Sequence, residues 1–348
     1  MNKKNDSLTG LTRREFIQGV AAASSVGMLL PLFPGKSLAA EKFPDHEITH
    51  IIAFKPGGSS DRASRPLKPY LDKHFGVPVV MENVGGASGM IGWTQFANAK
   101  PDGYTMCFIN HPLFYQSIRF KKPRYKMSDF LSIGGLNDDP MLFVRHKDSK
   151  HKWNSFKDFV EDCKKNPNKY RFSMTGPASP HNIAAHAVMD AFKIKFIIVN
   201  APGGSGPAAA MLAGQHVDGM VGPALSTFGL RDTATCFGIL SDTLAPHMWP
   251  EGKSISATTG VKLPNISIAR GFATHSKVKQ LYPDRYQWLV EKFKAAATDP
   301  DFVADMKKKG MSDVMFWYSP EKLEERAKTL RELVDKYAFL FERKKKKG

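Results

Sequence analysis

Residues 51–61, Ile-Ile-Ala-Phe-Lys-Pro-Gly-Gly-Ser-Ser-Asp, constrain the fold more than any other stretch. Ile51, Ile52 and Phe54 read as a buried strand. Pro56 ends it, because proline has no N–H to give to a sheet ladder. Gly57 and Gly58 then allow backbone angles and close approaches that a Cβ forbids. Ser59, Ser60 or Asp61 can cap a following helix. A strand, a glycine turn and a helix N-terminus in that order point backbone N–H groups and a positive dipole end at one spot, which suits an anion. Asp61 would repel a carboxylate directly, so helix capping is its expected role.

A second turn of the same kind, Gly85-Gly86-Ala87-Ser88-Gly89-Met90-Ile91-Gly92, follows the apolar strand Val77 to Asn83. Further on, Ala99-Lys100-Pro101-Asp102-Gly103-Tyr104-Thr105 opens a strand whose end, Asn110-His111-Pro112, projects toward the same sheet edge. A strand ending in Pro-Gly-Gly, two residues and Asp, then a Glu-Asn strand end, a Gly/Ala-rich loop and a Pro-Asp-Gly-Tyr-Thr turn is an ordered set. In that order and spacing the chain resembles the periplasmic substrate-binding proteins of tripartite tricarboxylate transporters, the Bug family. The resemblance is strongest over residues 51–105 and extends, more loosely, over nearly all of the chain beyond residue 40.

The resemblance implies an α/β fold: a two-lobed periplasmic binding protein, type II-like, with two crossing strands and a ligand cleft between the lobes. Residues 41–143 and 268–348 would form the first lobe and residues 144–267 the second. The strand beginning Pro140-Met141-Leu142 and the strand around Ile268 would cross between them. The implied ligand is a small carboxylate and the implied partners are the membrane subunits of a tripartite transporter. A monomer without cofactor, metal or catalytic residues is expected. The first lobe would hold a carboxylate at Gly57, Gly58, Ser59 and Ser60, with Gly86, Ala87, Ser88 and Gly89. Asn110 and His111 would contact it from the third strand.

In the second lobe, Tyr170 to Thr175 reads as a strand, and Gly176-Pro177-Ala178-Ser179-Pro180-His181-Asn182 as a turn opening a helix. Thr175, Gly176, Ser179 and His181 are the expected contacts, with Ser179 able to cap the helix as well. After the strand Phe196 to Val199, the turn Asn200, Ala201, Pro202 and Gly203 stands where the family has Pro-Tyr-Lys-Gly, and the missing tyrosine and lysine imply a different grip on the far end of the ligand. Residues 222–227 would add wall. Gly204-Ser205-Gly206-Pro207-Ala208-Ala209 has the form of a dinucleotide fingerprint, but the acidic residue needed about 20 positions later is absent. Arg270, near the returning strand, could face the cleft or form a surface salt bridge.

Thr12-Arg13-Arg14-Glu15-Phe16 is a twin-arginine pattern, followed by an apolar run and the small residues Ser37-Leu38-Ala39-Ala40. Residues 1–40 are thus expected to be a twin-arginine export signal, cleaved near Ala39 or Ala40, which places the protein in the periplasm. The net charge of +17 fits an anionic partner, but export and the lack of any nucleic-acid motif exclude DNA and RNA. Cys107, Cys163 and Cys236 are an odd set with neither zinc nor redox spacing, so a buried structural thiol is expected at Cys107. Two rivals share these features. A sensor subunit would use the same site. An exported hydrolase would need a triad such as Asp61, His181 and a serine, but there is no Gly-x-Ser-x-Gly elbow.

Overall fold

The structure is a computed structural model that describes residues 42–176, 179–201, 204–241 and 246–342. The expected export signal, its cleavage site, Pro202 and Gly203 lie outside the described residues. Among the described residues ten strands form one sheet: β1 (Ile48–Ile52), β2 (Val79–Asn83), β3 (Thr105–His111), β4 (Phe130–His146), β5 (Arg171–Thr175), β6 (Ile197–Ala201), β7 (Gly219–Pro223), β8 (Ala234–Ile239), β9 (Ser267–His275) and β10 (Met315–Tyr318). Their order is β2-β1-β3-β9-β4-β7-β5-β6, with β10 and β8 also pairing β4.

Two strands carry the chain from one part of the sheet to the other. β4 pairs antiparallel with β9 from Phe130 to Pro140, then with β7 and β8 from Met141 to His146. The chain returns through Ile266, whose N–H bonds to Leu240 and whose carbonyl accepts from Met141, directly into β9. β1, β2 and β3 run parallel in the first part, and β5, β6 and β7 run parallel in the second. Such strands need crossover helices, and their carboxyl ends all open to the same side of their own sheet. This is the two-lobed α/β architecture with two crossing strands.

Buried clusters lie against both parts of the sheet, and they run on from one part into the other. In the first, Leu67, Leu71 and Phe75 pack with Ile48, Val79 and Phe108. In the second, Phe143, Phe156, Phe159, Phe172 and Phe237 form an aromatic cluster around Trp153. The first crossover helix is segmented, as Pro66 and Pro69 require. A helix at Ser59–Ser64 gives way to a 3-10 turn at Arg65–Leu67, and the main helix, Lys68–Phe75, ends on Gly76 in the left-handed region. Near the C-terminus, Pro283 starts a separate helix, Pro283–Ala297. Cys107, Cys163 and Cys236 are buried free thiols. Among the described residues no helix is long and apolar enough to cross a membrane.

The turn after β2 is held by a close approach. A Cβ on Gly92 would lie 2.7 Å from Ala53 Cα and 2.7 Å from the Val84 carbonyl oxygen. Both are backbone atoms, so neither can swing away. Gly92→Ala is expected to cost about 1–3 kcal/mol through overpacking, read as a lowered denaturant midpoint at unchanged slope. An unchanged midpoint would show that the helix Met90–Ala97 can lift off β1 freely.

Candidate functional site

The first turn is built by Asp61. The Gly57 N–H donates to its Oδ2 at 2.9 Å, Arg65 Nη2 donates to its Oδ1 at 2.5 Å, and Asn83 Nδ2 donates to the same oxygen at 3.1 Å. Burial opposes the Asp61 carboxylate, but these bonds, led by Arg65, outweigh it and hold its pKa below the ordinary value. Gly57 takes the left-handed φ of +73° that the tight turn needs. Gly58 stands at the N-cap and offers no side-chain oxygen to the amides of the first helical turn. Asp61 therefore does not cap the helix: it clasps the turn from the third helical position.

That turn opens on a cavity of about 570 Å³ lined from both parts of the sheet. From the first come Lys55, Gly57, Gly58, Ser59, Ser60, Arg62 and Asn110, and from the second Thr175, Ser179, His181 and the turn Gly204-Ser205-Gly206-Pro207. Pro223 and Ser226 add wall, as residues 222–227 are expected to do, and Arg270 lines the cavity from β9. Most of these residues sit at or just beyond the carboxyl ends of β1, β3, β5, β6 and β7. The described lining contains three cations, Lys55, Arg62 and Arg270, and no carboxylate.

Several polar groups converge there. Asn110 Nδ2 donates to Ser60 Oγ at 2.9 Å, leaving Oδ1 without a partner among the described residues. His181 Nδ1 and Thr175 Oγ1 lie 2.9 Å apart, leaving Nε2 likewise without a partner among the described residues. Burial, reinforced by the charge of Arg270, pushes the His181 pKa down to about 4, so its imidazole is neutral at pH 7. Ser179 caps the helix Pro180–Phe192 and also lines the cavity. Asn182 donates to the carbonyls of Thr175 and Gly176 and to Asn200 Oδ1 at 3.0 Å, tying the turn after β5 to the end of β6. The pieces of a hydrolytic triad are engaged elsewhere: Asp61 with Arg65, and His181 with Thr175. Among the described residues no group of three His, Cys, Asp or Glu side chains could hold a metal ion.

Other expected residues lie away from this lining. Gly86, Ala87, Ser88 and Gly89 form a tight turn beyond β2, with Ala87 and Ser88 at positive φ, and Ser88 Oγ accepts from Lys121 Nζ at 3.3 Å. His111 is buried edge-on against Phe114, and burial pushes its pKa down to about 3. Gly176, Asn200 and Ala201 are not among the lining residues either. One contributor escapes the sequence reading of the site, and for another, Arg270, the structure decides between the cleft-facing and surface alternatives left open there. The turn at Gly204–Pro207 shows the same glycine-serine pattern as the turn at residues 57–60, but its spacing reads first as a failed dinucleotide motif. Arg270 is fully buried and not at the surface, so a surface salt bridge is ruled out. Its Nη1 donates to Asn137 Oδ1 and, at 3.3 Å, to Asp139 Oδ2.

Comparison with known proteins agrees with this architecture. Residues 64–232 match the tripartite tricarboxylate transporter family receptor. A protein of the TAR-I ttuE-ttuC′ intergenic region of Agrobacterium vitis is 30% identical over 188 residues, 54% of this chain and 54% of its own length. The match thus spans about half the length of that curated relative. The periplasmic binding protein BugD superposes with a TM-score of 0.68 at 24% identity, covering 86% of this chain and 98% of BugD. An R. palustris protein solved with adipate superposes with a TM-score of 0.69 at 17% identity, covering 86% of this chain and 98% of that one. The sequence match and the shared two-lobed fold lead to one reading: over residues 64–232 the chain is similar to the tripartite tricarboxylate transporter family receptor, and it shares the fold of the periplasmic binding protein BugD.

Proposed function

We propose that the protein is an extracytoplasmic solute receptor. It captures a small carboxylate-bearing ligand in the cavity between its lobes and delivers it to the membrane subunits of a tripartite tricarboxylate-type transporter. The observation that carries this reading is the charge of the lining: among the described residues it has three cations, no carboxylate, and glycine-serine turns facing in from both sides. Backbone amides, small hydroxyls and a guanidinium are the donors a carboxylate needs. A cavity of about 570 Å³ suits a ligand of metabolite size. The solved relative with adipate supports the same ligand class.

In this reading the lobes comprise residues 41–143 with 268–348, and residues 144–267, and they close on the ligand by a hinge at β4 and β9. Gly57–Ser60 with Asn110 grip one side, and Thr175, Ser179 and His181 the other. Gly86–Gly89 and His111 would brace the first side rather than touch the ligand. The protein works as a monomer in the periplasm after twin-arginine export, binds without turning its ligand over, and needs no cofactor.

A thermal-shift screen of the protein lacking residues 1–40 against mono-, di- and tricarboxylates tests this. At a hundred times its dissociation constant, a ligand stabilises the folded state by about 2.7 kcal/mol. We expect a clear rise with one carboxylate class, and the same compound recovered unchanged by NMR. A flat response across the whole panel would sink the carboxylate reading, and conversion of the compound would make the protein an enzyme.

A further inference from the structure

Arg270 is engaged on one arm only. Nη1 serves Asn137 and Asp139, whereas Nε and Nη2 have no partner among the described residues although the residue is completely buried. A buried N–H without an acceptor carries the full cost of its lost hydration, and two on one charged group are an unusual expense for a fold to carry. The two orphaned groups are not a random pair. Nε–H and one Nη2–H lie on the same edge of the planar guanidinium and point the same way, at the spacing of the two oxygens of a carboxylate.

The surroundings fix that edge in place. In the sheet register, Arg270 stands opposite Asn110 on β3 and opposite Asn137 on β4, so the three side chains form a row across one face. Asp139, also fully buried, accepts from Nη1 with one oxygen and from the Leu225 N–H, at 3.0 Å, with the other. Its charge is shared with an element of the second part of the sheet. The free edge therefore belongs to a cation whose orientation is set from β4. Asn110, His181 and Ser226 line the same cavity, and each has one buried polar atom without a partner.

We infer that Arg270 is the specificity-determining residue of the cavity: it takes a carboxylate of the ligand side-on through Nε and Nη2, while Asn137 and Asp139 hold its other arm. This rests on the carboxylate-receptor reading above. A neutral solute of the same size would leave the two donors at best half satisfied, so the residue selects for an anion with two coplanar oxygens.

The test is calorimetric titration of the wild-type protein and two variants with acetate, succinate, adipate, malate and citrate. Arg270→Lys keeps a cation beside Asp139 but has no parallel pair of N–H groups. It is expected to weaken the best carboxylate about tenfold or more. Arg270→Gln with Asp139→Asn removes both charges together and is expected to weaken it about a hundredfold or more. In ¹⁵N-labelled wild-type protein the Arg270 Nε–H resonance should move on saturation with that ligand. Folded variants that bind as tightly as wild type, or an Nε–H resonance that stays put at saturation, would overturn the role of Arg270 and leave the receptor reading standing. Failure of the wild-type protein to bind any of the five would overturn both.

Discussion

Asp139→Ala is expected to lower folding stability by about 3–5 kcal/mol, the usual result of stripping one partner from a fully buried ion pair. Burial pushes the Asp139 carboxyl pKa up and the Arg270 guanidinium pKa down, and in each case the partner's charge opposes the shift. The pair is thus held together against desolvation. Removing the carboxylate leaves the buried cation without its hydrogen-bonded counter-charge and deprives the Leu225 N–H of its acceptor. Asp139→Asn keeps an oxygen for Leu225 and should cost less. The informative variant is the double one, Arg270→Leu with Asp139→Leu. It removes two desolvated charges and two orphaned N–H groups, and apolar replacement of buried ion pairs is often neutral or stabilising by about 1–4 kcal/mol. We expect it to melt at or above the wild-type temperature, as sites kept for binding are commonly paid for in stability. Urea denaturation of the wild type, Arg270→Leu, Asp139→Leu and the double variant checks this as a double-mutant cycle. Additive losses, with the double variant the least stable, would mean that the pair is structural and makes no concession to a ligand.

Much of this site was legible in the sequence, and the parts that were not share a cause. The turn at residues 57–60 could be read because each feature is local: Pro56 stops a strand, glycine permits the turn, and a helix follows. Ser179 as a cap and Thr175 as a strand end are equally local. The turn at Gly86–Gly89 obeys the same grammar, yet it is absent from the cavity lining. The difference is strand order. β2 is the edge strand and lies two strands from β3 and three from β9, so a turn that is near in sequence is displaced across the sheet. Arg270 is the converse case. Its burial depends on Asn137 and Asp139, which come from a strand more than 130 residues earlier. Their register against β9 includes two irregularities between Ser132 and Asn137. No periodicity in either segment could supply that register. Gly204–Pro207 was visible as a glycine-rich turn, but its place opposite the first turn is a property of how β5, β6 and β7 pair.

Acid should destabilise the fold well before the carboxylates titrate. His50 and His111 have pKa values pushed down to about 3, and His181 to about 4, in each case chiefly by burial and secondarily by an arginine: Arg65, Arg331 and Arg270 respectively. None of the three has a carboxylate hydrogen-bond partner among the described residues; His50 Nε2 lies 2.9 Å from Ser64 Oγ, and its ring stacks on Phe272. The unfolded chain binds protons at these sites with the ordinary pKa of about 6.5, and the folded protein does not. Below pH 6.5 the unfolded state therefore takes up more protons, and stability falls as pH falls. Between pH 7 and pH 5 each histidine contributes a loss of about 2 kcal/mol, about 6 kcal/mol for the three, against a typical domain stability of about 5–15 kcal/mol. Asp61, Asp162 and Asp299 do not contribute in that window: all three titrate below their ordinary value, so their share is lost only at lower pH. Asp139, whose pKa is raised, acts in the opposite sense and offsets part of the loss. Urea midpoints at pH 7 and pH 5, at fixed ionic strength, measure the effect directly. His111→Phe should remove about a third of the slope without altering its sign. A midpoint that does not move between the two pH values would mean that these imidazoles are solvated or paired in the folded protein, and the neutral His181 at the cavity wall would then have to be redrawn as a cation available to an anionic ligand.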